Sequence, residues 1–81
     1  MKRQRIIIES IRYITGNQKS VKIKGKLSEM NVYKGVLRAS KRLYESLQRK
    51  DVRLEEIERL VARKNRAAER FQRVTGHSWP L

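Results

Sequence analysis

Apolar and polar positions keep a helical rhythm over two long stretches of this 81-residue chain and lose it over the first third. In residues 4–15, Ile7, Ile11 and Ile14 follow helical spacing, with Ile8 beside them and Gly16 placed as a C-terminal stop. Three consecutive isoleucines at 6–8 equally favour an extended chain. The segment is therefore an N-terminal helix or strand, with the helix preferred. Residues 15–18 (Thr-Gly-Asn-Gln) read as a turn. Ser20, Val21, Lys22, Ile23 and Lys24 then alternate polar and apolar, the mark of a short half-buried strand closed by Gly25. A lone strand needs a partner, either residues 5–9 or the same strand of a second copy.

From Ser28, a reasonable N-cap, a helix is expected to run to about Gln48. Met30, Tyr33, Val36, Leu37, Leu43, Tyr44 and Leu47 form its apolar face, with Lys34, Arg38, Lys41, Arg42 and Arg49 on the other side. Gly35 and Ser40 weaken that helix without ending it. After a short connection at 49–53, a second helix is expected from about Leu54 to Thr75, ended by Gly76. Its first turns hold Glu55, Glu56 and Glu58 and its end is crowded with arginine, the polarity that a helix dipole favours. Its core face is Leu54, Ile57, Leu60, Val61, Ala67, Ala68, Phe71 and Val74. Lys64 lies within that arc, so its amine must run outward, lie at an interface, or find a partner such as the Ser40 hydroxyl or a Tyr oxygen.

The short link implies an antiparallel helical hairpin. The expected fold is thus a single small α+β domain, mostly α: a basic N-terminal region (1–26) with a helix or strand and one short strand, a long helical hairpin (27–75) and an apolar tail (76–81). In the tail, Trp79 and Leu81 are expected to fold back over the hairpin, the alternative being an exposed hook for a partner. A chain this short builds only a modest core, and pairing into a homodimer would extend it.

Charge changes the picture more than hydropathy does. The chain carries 21 Lys and Arg against 8 Asp and Glu, a formal charge of +13, and residues 1–26 alone hold eight bases against one acid. Such an excess repels itself in a compact state and favours polyanions. Most of the informative charge lies on the second helix. Arg59, Arg63, Arg66, Arg70 and Arg73 recur at spacings of four, three, four and three. At about 100° per residue these side chains fall within roughly 80° of arc, a ridge about 21 Å long at 1.5 Å per residue. Four like-charge contacts at helical spacing cost on the order of 1–2 kcal/mol. Only Glu55 and Glu69 are placed to offset them, by pairing with Arg59 and with Arg66 or Arg73. An anionic partner lying along the ridge accounts for the surplus. Lys34, Arg38, Lys41 and Arg42 are positioned to add a second row.

The residues offer little to an enzyme. There is one His (His77), one Asp (Asp51) and no Cys, too few for a nucleophilic triad, and of the seven glutamates Glu55, Glu56 and Glu58 cluster at a helix start beside Arg53 and Arg59. Gly16, Gly25, Gly35 and Gly76 are scattered rather than gathered into a phosphate loop. No cofactor, metal site or catalytic residue is expected. The basic start precedes only three isoleucines before Glu9, unlike a signal peptide, and no stretch approaches the roughly 18 apolar residues of a membrane span. The expectation is a soluble cytoplasmic protein without a membrane partner.

On the predicted strand, Lys22 and Lys24 project from one side and Val21 and Ile23 from the other. The order strand, helix, helix over residues 20–75 resembles the ribbon-helix-helix regulators. That resemblance implies two subunits pairing the strand and inserting its polar face into the major groove. The first helix here is much longer than theirs, and residues 1–19 have no counterpart in that pattern. Of the tyrosines only Tyr13 falls off the expected core faces, which gives base stacking on RNA little support and tilts the reading toward duplex or backbone binding. The sequence therefore predicts a non-enzymatic DNA- or RNA-binding accessory or regulatory protein, of the compact kind phages and mobile elements encode. The other possibility is an interaction module that docks the ridge, with Trp79 and Leu81, on an acidic protein surface.

Overall fold

A computed structural model describes the backbone of residues 3–22 and 25–81, and the side chains of residues 7–22 and 25–81. Three helices follow one another: α1 Arg3–Ile14, α2 Leu27–Gln48 and α3 Leu54–Thr75. The two long helices pack on each other as a hairpin, and α1 lies against α2.

Each helix end has a local cause. Gly16, at φ 85°, stops α1. The Asn17 N–H donates to the Arg12 carbonyl at 2.8 Å and the Gly16 N–H to the Tyr13 carbonyl at 3.2 Å, the paired bonds of a glycine-terminated helix. Gly76, at φ 76°, does the same for α3, with its N–H on the Gln72 carbonyl at 2.8 Å. The start of α2 departs from expectation. Leu27 opens the helix and Lys26 takes the cap position without a side-chain bond, so Ser28 lies inside the first turn rather than capping it. Between the long helices, Arg49 holds the turn by a two-pronged bond to Glu56 (3.0 and 3.2 Å) and a contact to Asp51 at 3.6 Å.

The short β-strand expected at 20–24 is not seen among the described residues. Residues 20–22 are irregular, and Ile23 and Lys24 lie outside the described residues. The reason lies in α1: once residues 3–14 are helical, the segment has no neighbouring strand to satisfy its backbone. Val21 instead turns its side chain onto the core. Helix is the only regular secondary structure among the described residues, so the resemblance to a strand-first regulator fails at its first element.

The core sits where the three helices and the tail meet. Ile14, Tyr33, Val36, Leu37 and Ala39 are buried, with Val36 fully so. Tyr13, Val21, Phe71, Trp79 and Leu81 close over that centre. Gly76 redirects the chain so that Trp79 wedges between Tyr33 and Phe71, with ring centroids at 5.6 and 5.3 Å and all three rings edge-on. Such aromatic pairs add about 0.5–1.5 kcal/mol each beyond area burial. The Trp79 indole N–H donates to the Ser40 hydroxyl at 3.0 Å. The hydroxyls of Ser10 and Tyr33, both buried, hydrogen-bond each other and tie α1 to α2. Burial pushes the Tyr33 phenol above its ordinary pKa; the Ser10 hydrogen bond acts in the opposite sense and Glu9 reinforces the rise.

Candidate nucleic-acid interface

Packing α3 by one face leaves the arginine ridge outward. Arg59, Arg63, Arg66, Arg70 and Arg73 are all exposed. Among the described residues the ion pairs are those of Arg49 with Asp51 and Glu56, so no carboxylate neutralises the ridge. The expected pairings of Glu55 with Arg59, and of Glu69 with Arg66 or Arg73, do not form.

The ridge also borders a groove. Arg63, Arg66, Ala67 and Arg70 of α3 and Asn31, Val32 and Gly35 of α2 together line a groove of about 490 Å³ between the two helices. Arg59 and Arg73 extend the ridge beyond its two ends without lining it. On α2, Lys34, Arg38 and Arg42 are exposed. Arg38 and Arg42 continue the row begun by Asn31 and Gly35 at spacings of four, three and four, so they fall on the groove side of that helix.

Lys41 does not belong to this row. Its ammonium donates to the Tyr13 carbonyl at 2.7 Å and stands 4.8 Å from the centre of the Tyr13 ring. That carbonyl, which also accepts the Gly16 N–H, is in the last turn of α1, where the helix dipole is negative. Lys41 is thus a tether between α2 and α1. Lys22 is exposed on the irregular segment, and Lys24 lies outside the described residues. Trp79 and Leu81 pack against the core, the fold-back that was expected rather than the alternative hook. Nor does Ser40 receive Lys64. Its hydroxyl is taken by Trp79, and half-buried Lys64 sits at the edge of an apolar cleft of about 240 Å³ formed with Ile11, Ile14, Leu43, Tyr44 and Leu47.

Asn31, Gly35 and Ala67 escaped sequence reasoning as site residues. A mid-helix glycine was a usable signal, but it read only as a loss of helix propensity. Ala67 read as packing. Among the described residues no cluster of three or more His, Cys, Asp or Glu side chains is placed to hold a metal ion, and no helix is long and apolar enough to cross a membrane. Compared with protein-family models, with curated proteins and with solved structures, the chain matches none.

Proposed function

We propose that the protein is a non-enzymatic accessory or regulatory protein that binds nucleic acid through phosphate contacts from Arg59, Arg63, Arg66, Arg70 and Arg73, helped by Lys34, Arg38 and Arg42. One observation carries this reading: five arginines share a helix face with no carboxylate partner, in a chain of net charge +13. Repulsion along such a row is relieved when phosphates replace its counterions, and release of those counterions drives binding. The exposed apolar side chains of Ile11, Tyr44, Leu47, Leu54 and Val61 favour a homodimer as the working form, buried through this surface rather than through a shared strand.

The test is an electrophoretic shift with duplex DNA, single-stranded DNA and RNA across a salt series. Replacing Arg63, Arg66 and Arg70 together with Gln should flatten the slope of log affinity against log salt by about 0.9 per lost contact on duplex DNA, close to three units in all. Binding that ignores the three substitutions would remove the ridge from the interface. Absence of any shift, with capture of an acidic protein that nucleic acid does not displace, would move the ridge to the docking role.

A further inference from the structure

Gly35 has no structural explanation inside the molecule. Its backbone is ordinary helix without the positive φ that favours glycine. A Cβ placed there would meet nothing within 4 Å, so no neighbouring element requires the missing side chain. In the middle of a 22-residue helix, glycine costs about 1 kcal/mol relative to alanine. The same residue, itself exposed, lines the groove together with Arg63, Arg66 and Arg70. Glycine at such a place commonly serves the close approach of a ligand to the backbone.

Resting on the nucleic-acid reading, we infer that a sugar-phosphate strand seats inside the groove between α2 and α3, against Gly35 and Ala67, rather than riding along the crest of α3. The seat has the right chemistry for that occupant. Arginine forks on the α3 wall match phosphate oxygens bidentately. From α2, Asn31 offers a side-chain amide of the kind that bonds phosphate and sugar oxygens. The seven-residue step from Arg63 to Arg70 covers about 10 Å of helix, enough to meet more than one phosphate of a single strand. Arg38 and Arg42 prolong the path on the α2 side. The small residues Gly35 and Ala67 let the strand sit low enough for cations of both helices to reach it.

An uncharged substitution tests this seat. Gly35→Leu fills this part of the groove with a good helix former while leaving every charge in place, and Gly35→Ala serves as the small-volume control. Each is titrated against a short DNA duplex, its single strand and the RNA of the same sequence over a salt series, beside the triple Arg63, Arg66 and Arg70 to Gln variant. Circular dichroism and melting confirm the fold; both glycine variants should melt no lower than the parent, because each removes a helix-weakening residue. The seat predicts that Gly35→Leu lowers the salt slope by about one to two units, although no cation has been removed, because phosphates are lifted from the arginines. Gly35→Ala should fall between Gly35→Leu and the parent. A loss shared by all three nucleic acids assigns the seat to the common phosphodiester chain, and a loss confined to one of them names the form that enters it. Parent-like affinity and slope for Gly35→Leu, with the triple variant impaired, would overturn the seat and return the strand to the crest while the ridge stands. No binding by the parent protein would overturn both.

Discussion

The two ends of the hairpin are built differently. Toward the tail, Tyr33, Val36 and Leu37 are buried and three rings lock edge to face, with only the helix-end residues Leu27 and Val74 exposed; toward the turn no large apolar side chain is fully buried, Leu47 and Leu54 are 53% and 70% exposed, and Tyr44 and Val61 also reach solvent. The turn end relies on Arg49 bridging to Glu56, a solvent-exposed pair of the kind worth about 0–1 kcal/mol. Stability is therefore concentrated at one end, and local opening should begin at the other. The groove lies beside the well-packed end: Arg70 directly precedes Phe71, and Gly35 follows Tyr33 by two residues. A charged surface backed by locked rings would lower the ordering cost of the proposed nucleic-acid binding.

The sharpest way to break this contrast is Trp79→Ala. Removing the ring that joins Tyr33 to Phe71, together with its bond to Ser40, should cost about 2–4 kcal/mol by chemical denaturation, toward the lower range for buried aromatic truncations because the ring is half-buried. A loss under about 0.5 kcal/mol would show that the tail end is not the stable one. Next comes Tyr33→Phe, which removes the hydroxyl partner of Ser10 and should cost about 1 kcal/mol at neutral pH. It also carries a pH signature. Because the folded phenol holds its proton more tightly than the unfolded one, its contribution is intact below the unfolded pKa of 10.0 and is lost as pH rises through the raised folded value. Melting temperatures followed into that alkaline range should fall less steeply for the Phe variant than for the parent. Smallest of all, Leu47→Ala at the turn end should change stability of the isolated chain by about 0.5 kcal/mol or less. A much larger, concentration-dependent loss would reveal that Leu47 is covered by a second copy.

The long helices were legible in the sequence because their signals agree. From Leu54 to Thr75, periodicity, acidic start, basic end and Gly76 all name one element, and the structure gives those bounds. The hairpin followed from the short link alone. The strand at 20–24 was misread because alternation over five residues records only which side chains prefer burial, and Val21 satisfies that preference without any ladder. The exposure of the ridge on α3 was equally legible, since an apolar arc on one side leaves the other to solvent. Lys41 was not: its partners, the Tyr13 carbonyl and ring, lie 28 residues away on α1, and no pattern within α2 announces them. The groove, too, depends on which two helix faces meet. Gly35 and Ala67 acquire meaning only once both are found lining one groove.

Trp79 is the chain's single tryptophan, and it sits where the tail locks onto both long helices. Fluorescence excited at the long-wavelength edge of the absorption band, where tyrosine does not absorb, therefore has one source, so the molecule carries its own optical gauge of whether the clasp is shut. Tail release would shift the fluorescence to longer wavelength without any label, and a stopped-flow trace could time that event separately from the loss of helix seen by circular dichroism.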